Sequence, residues 1–288
     1  MTAPLFWAPA DQLAAAGPGA TVELSGPEAR HAVAVQRLRP GHQILLSDAV
    51  GRRLEGRVRS ARGGQEPLLT IVVERASALA PRSPQLVLVQ ALAKGRRDEA
   101  AVAAATGLGA DRIIPWQADR SVPRWLEVGR GRGGGDLAAG RSRGGGQAAP
   151  PNPAAAKGRA RWQQVVRAEG KVARRCLLPV VEDAVDSAAL AARLAGEIAA
   201  GARGVVLRAE ADTPLAQALD QADAATAVFL LVGPEGSIAP EEVAAFEAAG
   251  ALAARLGPEV LRTGLAGAAA LTLASHVLGR WGRSHPVD

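Results

Sequence analysis

The stretch Leu230-Leu-Val-Gly-Pro-Glu-Gly-Ser237 ends an apolar run, Ala227–Val232, with a turn that contains glycine and proline. An apolar run of this length, bounded by turn residues, predicts a strand that is buried on both faces. A helical segment follows, with Pro240 at its first position and two glutamates in its first turn, where the helix dipole favours acidic side chains. Ligands of open α/β sheets bind at the carboxyl ends of strands, so this turn is a candidate binding loop. Taken alone, the tetrapeptide would be an ordinary tight turn.

The surrounding sequence alternates between strand and helix patterns from residue 85 onward. Strands are predicted at residues 85–92, 112–116, 178–181, 204–207 and 227–232, and helices at 98–106, 161–175, 187–200, 215–221, 240–249 and 265–278. Strands that alternate with helices in this way form parallel sheets with helices on both faces. We therefore expect an α/β fold for this part of the chain.

Residues 1–80 have a different pattern. Short β-prone runs at 21–24, 43–46, 54–58 and 68–73 are separated by glycine, proline and charged residues, which predicts a small barrel or sandwich. The segment Ala80-Pro-Arg-Ser-Pro84 marks a boundary, because its two prolines interrupt both helix and strand. The sequence thus predicts two domains, at 1–80 and 81–288.

Charge is distributed unevenly along the chain. Residues 1–175 hold 27 Lys and Arg against 14 Asp and Glu, and residues 176–288 hold 7 against 14, so the two parts carry formal charges of +13 and −7. A basic part joined to an acidic part indicates that the first contacts a polyanion such as nucleic acid. A genome rich in arginine codons would explain the ratio of 31 Arg to 3 Lys, but not this asymmetry.

A segment at about 129–160 is rich in Gly, Arg, Ala and Pro and carries six basic residues and one acid. Such a composition buries too little apolar surface to offset the entropy of ordering, so we expect a disordered insertion within the second domain. It is either a non-specific contact for RNA or a solvated segment without function.

Composition excludes several classes of site. Cys176 is the single cysteine, and the four histidines are widely separated, so neither a disulfide nor a metal site is expected. Phosphate-loop, serine-hydrolase and zinc-protease motifs are absent. The sequence shows no secretory signal and no apolar run long enough to span a bilayer, which favours a cytoplasmic protein without a membrane association.

Two further loops are candidates for the same site as the Gly-Pro-Glu-Gly turn. Leu256-Gly-Pro-Glu-Val-Leu-Arg-Thr263 leads into the last helix, and Arg262 is either a solvated charge or a cation that points into a shared cleft. Trp116-Gln-Ala-Asp-Arg-Ser-Val122 follows a predicted strand, and Arg120 is either a surface ion-pair partner or a second such cation.

Taken together, these segments resemble the RsmE family of the SPOUT superfamily, methyltransferases that act on N3 of a uridine in small-subunit (16S) ribosomal RNA. The similarity covers nearly the whole chain in the expected order. The matching positions are His31 to Arg37 with Gly41; Lys94-Gly95, Glu99, Gly109 and Arg120-Ser-Val122; Arg161-Trp162, Lys171, Arg174, Arg175 and Pro179; Gly233-Pro-Glu-Gly236; and Leu256-Gly257 with Leu261-Arg-Thr263.

The resemblance implies an N-terminal PUA-like RNA-binding barrel, a C-terminal domain with a trefoil knot, S-adenosyl-L-methionine as cofactor, ribosomal RNA of the small subunit as partner, and a homodimer. Arg120 and Arg262 are the implied catalytic residues. The implied cofactor-binding residues are Leu207, Gly233, Pro234, Glu235, Gly236, Leu256, Gly257, Val260, Leu261 and Thr263. The implied RNA-binding residues are His31, Arg37, Arg39, Lys94, Arg174 and Arg175, and we further expect Arg52, Arg53, Arg57 and Arg59 to contact phosphates.

The chain departs from the family pattern at Gly107, Val172, Ser237 and Gly264-Leu265, where polar residues or a second glycine are usual. These departures are expected to affect catalytic rate more than fold. Three alternatives remain open: a related knotted methyltransferase for another base or a ribose hydroxyl, a catalytically silent RNA-binding assembly factor, and an unknotted enzyme acting on a small molecule.

Overall fold

The computed structural model of the protein describes residues 3–127 and 152–282. These residues form two sheets, and every strand predicted from the sequence is present in one of them. Within the described ranges, no helix is both long and apolar enough to cross a membrane.

The first sheet is built from the N-terminal residues and is mostly antiparallel. Its five strands are β1 (Leu5–Trp7), β2 (Thr21–Ser25), β3 (Gln43–Ser47), β4 (Arg52–Arg62) and β5 (Leu68–Ala78), in the order β1-β3-β4-β5-β2. Only β1 and β3 pair in parallel. Two short helices, α1 (Ala10–Ala14) and α2 (Gly26–Arg30), accompany the sheet, and α2 continues into a π-helical turn at His31–Val35.

The two longest strands of this sheet are bent. The pairing of β4 with β5 shifts register between Glu55 and Gly56 and again between Val58 and Ser60. A Cβ at Gly56 would lie 2.3 Å from the Val72 carbonyl oxygen, so only glycine fits there. Bulges increase local twist, which curves the sheet around its apolar core. The bulges also break the alternating pattern, and for this reason the predicted strand at 54–58 is shorter than β4.

The second sheet confirms the expected α/β fold with parallel strands. Its strands are β6 (Gln85–Ala91), β7 (Arg112–Gln117), β8 (Val180–Val181), β9 (Val185–Asp186), β10 (Arg203–Leu207), β11 (Ala227–Val232) and β12 (Leu252–Ala254). Every pairing is parallel, in the order β12-β10-β11-β6-β7-β8, with β9 also paired to β7. The helices are α3 (Arg97–Leu108), α4 (Pro153–Val172), α5 (Ser187–Ala199), α6 (Leu215–Ala218), α7 (Pro240–Ala248) and α8 (Thr263–Val277), with a 3-10 turn at Ala222–Ala224.

Strand β11 lies in the middle of this sheet and is buried along its whole length. Val228 and Leu230 face a core shared with α3, α4, α6 and α8. Phe229 and Leu231 face the opposite core, which contains Phe246 of α7 and the buried side of α5. Alternate side chains of one strand therefore require helices on both faces, as the sequence predicted.

Helix α4 corrects two predicted boundaries. It begins at Pro153 rather than at residue 161, so the predicted insertion does not extend to 160. Asn152 caps it, because its Oδ1 accepts a hydrogen bond of 2.9 Å from the backbone N–H of Ala154. The alanine- and glycine-rich composition concealed a helix start that is stabilised by packing against Trp125. Residues 129–151 of the predicted insertion lie outside the described residues.

The first sheet contacts α4 and the segment that follows it. Ser47 Oγ and the backbone N–H of Gly51 donate hydrogen bonds of 3.1 and 3.0 Å to the Cys176 carbonyl oxygen. Lys171 Nζ on α4 binds the Glu28 carboxylate at 2.6 and 2.7 Å. The single cysteine is therefore buried where the first sheet meets the segment after α4, together with Trp7, Leu5 and Leu45.

We expect opposite effects from alanine at two helical glycines. A Cβ at Gly158 in α4 would lie 2.4 Å from the Trp125 ring, which packs edge-on against Trp162. Gly158→Ala should therefore lower the free energy of unfolding by about 1–3 kcal/mol. A Cβ at Gly196 in α5 would have no atom within 4 Å. Gly196→Ala should therefore raise the free energy of unfolding by about 0.5–1 kcal/mol. Urea denaturation of both variants measures these changes, and a stabilising Gly158→Ala would contradict the packing described.

Candidate functional site

A cavity of about 720 Å³ lies at the carboxyl ends of three adjacent parallel strands, β10, β11 and β12. The structure brings most of the predicted site residues together here. Those that line the cavity are Arg120, Leu207, Gly233, Pro234, Glu235, Leu256, Gly257, Val260, Leu261, Arg262 and Thr263. The cavity is called the cleft below, and it is formed by segments that are distant in sequence because parallel strands end at the same edge.

Thr263 joins the two predicted cofactor loops. Its Oγ1 donates a hydrogen bond of 2.5 Å to the Gly233 carbonyl oxygen and accepts one of 3.2 Å from Gln90 Nε2. Gln90 is completely buried and also donates to the Ala91 carbonyl oxygen at 3.1 Å. The start of α8, the end of β11 and the end of β6 are thus tied together behind the cleft.

Sequence reasoning missed Gln90. The available signal was a single amide residue within an otherwise apolar strand at 85–92. A buried polar side chain is stable only when it is hydrogen-bonded, so its presence in a buried strand indicates a partner from another segment.

The Gly-Pro-Glu-Gly turn has no room for side chains at its glycines. A Cβ at Gly233 would lie 2.5 Å from Ile238 Cγ1, and one at Gly236 would lie 3.3 Å from Arg120 Cβ. Gly236 does not itself line the cleft, but its carbonyl oxygen accepts a hydrogen bond of 3.1 Å from Arg120 Nη1. The glycines therefore serve close packing against neighbouring loops.

Glu235 turns toward the β6–α3 segment. Its Oε1 accepts hydrogen bonds of 2.9 Å from Arg97 Nη1 and 3.2 Å from the backbone N–H of Lys94. Partial burial by itself would raise the pKa of this carboxyl, but hydrogen bonds from its own N–H, from Arg97 and from Lys94 outweigh burial and lower the pKa. The carboxylate is thus held ionised, in an ion pair that connects the turn to α3.

Arg120 is positioned by a buried carboxylate on α7. Glu242 is only 3% exposed, and its two oxygens accept hydrogen bonds from the backbone N–H groups of Asp119, at 2.8 Å, and Ala239, at 2.9 Å. The Ser187 hydroxyl donates to the same carboxylate. The Arg120 loop is thereby attached to the helix that follows the Gly-Pro-Glu-Gly turn.

Arg262 caps the start of α8 at the rim of the cleft, and its side chain is exposed. Within residues 3–127 and 152–282, its guanidinium has no ion-pair or hydrogen-bond partner. It is therefore available to an anionic or carbonyl-bearing ligand.

The predicted RNA-binding residues are divided between three locations. His31, Arg37, Arg39 and Arg174 lie around the π-helical turn and the end of α4, and the arginines among them are exposed. Lys94 is exposed beside the cleft.

Arg175 does not belong to this set. Its Nη1 donates hydrogen bonds of 2.9 and 2.8 Å to the carbonyl oxygens of Thr106 and Ala110. Burial lowers its pKa to about 10. The guanidinium therefore stabilises the end of α3, and we withdraw it from the RNA-binding residues.

The arginines of β4 also differ from the expectation of a phosphate-binding face. Arg52 donates to the carbonyl oxygens of Leu13 and Ala16, Arg53 pairs with Glu55 at 2.9 Å, and Arg57 pairs with Glu74 at 2.7 Å. Arg59 is exposed. Alternation along the strand predicted outward-facing cations, but three of them bind carbonyls or acids, of which Glu55 lies on β4 itself and the others on neighbouring segments.

The positions that depart from the family pattern differ in backbone conformation, in neighbouring atoms and in exposure. Ser237 has φ of 64°, a left-handed conformation that glycine adopts without strain. A Cβ at Gly107 would lie 3.4 Å from Glu169 Oε1, so a glutamate there would meet a second carboxylate. A Cβ at Gly264 would lie 3.0 Å from the Arg97 carbonyl oxygen, whereas Leu265 and Val172 are largely exposed.

No group of three or more His, Cys, Asp or Glu side chains within the described residues is arranged to hold a metal ion. The cleft instead combines glycine-containing backbone and apolar side chains with four arginines and three glutamates: Arg97, Arg120, Arg208, Arg262, Glu210, Glu235 and Glu259. Arg97 pairs with Glu235 at 2.9 Å and Arg208 with Glu210 at 3.8 Å, so both signs of charge lie beside the apolar groups.

Solved structures share the fold. Ribosomal RNA small subunit methyltransferase E from Neisseria gonorrhoeae, bound to S-adenosyl methionine, superposes with a TM-score of 0.73 at 22% identity and covers 96% of this chain and 98% of its own. A putative methyltransferase from Legionella pneumophila, in complex with the same cofactor, has a TM-score of 0.69 at 20% identity and covers 96% and 98%.

Other relatives are more similar to this chain in sequence than these two solved structures are. A family described as RNA methyltransferase domain matches residues 81–131 and 147–275. Ribosomal RNA small subunit methyltransferase E from Mycobacterium bovis and from Mycobacterium tuberculosis are each 39% identical over 268 residues, or 92% of this chain and 90% of the relative. At this identity and coverage, the chain belongs to the ribosomal RNA small subunit methyltransferase E family, the RsmE family that the sequence motifs resemble.

Proposed function

We propose that the protein transfers a methyl group from S-adenosyl-L-methionine to N3 of a uridine in small-subunit ribosomal RNA, and that the cleft is its active site. The observation that carries this assignment is the convergence of Arg120, Arg262 and the two glycine-containing loops at one edge of the parallel sheet. Membership of the family supports the substrate and the methyl donor.

The cleft fits S-adenosyl-L-methionine in size and chemistry. Its volume of about 720 Å³ falls in the range of pockets for small-molecule cofactors. Leu207, Leu256 and Leu261 offer apolar contacts for an adenine ring, and the 233–237 loop offers backbone groups for its polar edges. When bound, this cofactor supplies a methyl group that is activated by a positively charged sulfur.

The protein then has to orient the base and stabilise charge. As the proton leaves N3 of uracil, negative charge spreads onto O2 and O4, which an arginine stabilises. Arg262 is the candidate for this contact because its guanidinium has no other partner in the described chain. Arg120 orders the cofactor loop through Gly236 and contacts the base or its phosphate. Glu235 is poorly suited to be the base that removes the proton, since its pKa is lowered and Arg97 binds it.

The finer architecture is part of the same proposal. We assign a PUA-like RNA-binding barrel to residues 1–80 and a knotted methyltransferase domain to residues 81–288, in a cytoplasmic homodimer that acts on small-subunit RNA. Membership of the family supports the knotted connection. Exposed Val122, Val260 and Leu265, close to the cleft, support an interface beside the active site.

Mass spectrometry of ribosomal RNA tests the function directly. Unmodified small-subunit particles incubated with the protein and S-adenosyl-L-methionine should gain one methyl group on N3 of a uridine. A methyl group on another base or on a ribose hydroxyl would contradict the position proposed. RNA binding without transfer would identify a silent assembly factor instead.

Arg262→Ala should lower the rate of methyl transfer by more than about tenfold, because the transition-state charge loses its donor. The melting temperature should stay within a few degrees of the wild type, since the side chain binds no other described residue. Arg262→Lys keeps the positive charge but lacks the planar guanidinium, so its rate of methyl transfer should lie between those of the wild type and Arg262→Ala. Unchanged transfer by Arg262→Ala would remove this residue from the mechanism.

Affinity for RNA should fall steeply with salt, because basic side chains displace counterions from phosphates. Arg37→Ala with Arg39→Ala should reduce the slope of log Kd against log salt concentration by about 1–2. Arg203→Ala, at the start of β10 and outside the lining of the cleft, is the control and should leave the slope unchanged. An equal slope in the wild type, the double variant and the control would contradict RNA binding by Arg37 and Arg39.

A further inference from the structure

A second cavity, of about 1040 Å³, lies between the first sheet and α4, and it shares no lining residue with the cleft. It is called the seam groove below. One wall comes from the first sheet and the π-helical turn, and the other from the last two turns of α4 with Arg174. Its lining residues include Trp7, His31, His42, Arg57, Arg167, Lys171, Val172 and Arg174.

The most distinctive feature of the seam groove is an arginine stacked on a buried tryptophan. The Arg167 guanidinium lies over the Trp7 ring, with its carbon 5.4 Å from the ring centroid. Trp7 is 5% exposed and is held in place by a hydrogen bond of 3.3 Å from its Nε1 to the Arg167 carbonyl oxygen. No acidic side chain within the described residues pairs with Arg167. The Arg167 side chain is otherwise exposed, so its guanidinium is accessible to a ligand.

The seam groove is basic. Four basic side chains line it against one acid, Glu28, which gives a formal charge of +3 with neutral histidines. Lys171 neutralises Glu28 at 2.6 Å, and Arg57 pairs with Glu74 outside the groove. The remaining positive potential favours an anionic ligand.

The seam groove also has an apolar part. Val172 is 76% exposed, where the family pattern has a polar side chain, and Ala168 lies exposed one turn before it. Gln36 and Gln43 add side-chain amides to the lining. A free phosphate would need no apolar wall, and duplex RNA presents phosphates without exposed base faces. An unpaired nucleotide requires all three features: a cation for its phosphate, a planar face for its base and amides for the base edge.

We propose that the seam groove binds an unpaired nucleotide of the RNA substrate, with its base stacked on the Arg167 guanidinium and against Val172. This proposal rests on the proposed function, because it takes RNA as the substrate. It adds a second RNA contact outside the cleft. Arginine planes are recurrent stacking partners for splayed bases, and stacking does not require a particular base. Because the first sheet and α4 each contribute a wall, RNA bound here would contact the N-terminal part and α4 together.

Binding of short oligoribonucleotides without methyl donor tests this site. Arg167→Lys keeps the charge but removes the planar face, and should weaken binding of a single-stranded oligoribonucleotide by at least about fivefold. Affinity for a duplex of the same sequence should change little. The matched control Arg203→Lys, at the start of β10, should bind both RNAs as the wild type does.

A second substitution covers the case in which Arg167→Lys disturbs packing on Trp7. Val172→Glu alters an exposed side chain and should weaken single-strand binding with an unchanged melting temperature. Val180→Glu, at another exposed valine outside the groove, is its control. Unchanged affinity in Arg167→Lys and Val172→Glu, or equal losses for single strand and duplex, would overturn the proposal.

These outcomes are separate from those for methyl transfer. A wild-type protein that binds the oligoribonucleotide through Arg167 but methylates no RNA would refute the proposed function and leave the seam groove in place. If Arg167→Lys methylates RNA and keeps full affinity for the single strand, nucleotide binding in the seam groove is refuted and the proposed function stands.

Discussion

The burial of β11 on both faces is the constraint on which the second sheet depends. A six-residue strand without a polar side chain is stable only in the middle of a sheet, with helices above and below it. Its neighbours are β10 and β6, so the turn at Gly233 lies beside the ends of both strands. The cleft is arranged around that turn: the Leu207 segment lies on one side, Thr263 is hydrogen-bonded to the Gly233 carbonyl, and Gln90 supports Thr263 from behind the cleft.

The acidic and basic groups near the cleft have different uses. Glu242 accepts two backbone hydrogen bonds and one from Ser187, and Glu235 is bound by Arg97 and the Lys94 backbone. Both carboxylates therefore organise loops. The guanidinium of Arg262 is left without a described partner at the rim. Glu235 and Glu242 therefore fix the backbone around the cleft, while the exposed Arg262 guanidinium can stabilise charge on a substrate.

The charge asymmetry read from the sequence overstates the basic surface. Arg52 and Arg175 donate to backbone carbonyls, and Arg53 and Arg57 form ion pairs on the first sheet. A count of residues cannot identify these pairings, because they depend on how the segments are arranged in the fold. Exposed basic residues at the π-helical turn and the end of α4 include Arg37, Arg39 and Arg174, where the first sheet meets α4.

The sequence by itself determined most of the strands, the parallel α/β fold and the loops that meet at the cleft, because apolar periodicity and turn residues are local signals. It did not predict β1, β9 and β12, which are two or three residues long and too short to show a period. The same signals were weak where composition was uniform, so the start of α4 at Pro153 was missed. Only the tertiary structure decided which polar groups pair with one another: Gln90 with Thr263, Glu242 with the Arg120 loop, Arg175 with the end of α3, and Arg167 with Trp7. These contacts join residues separated by many positions in the chain, and their geometry depends on how the two sheets and their helices pack.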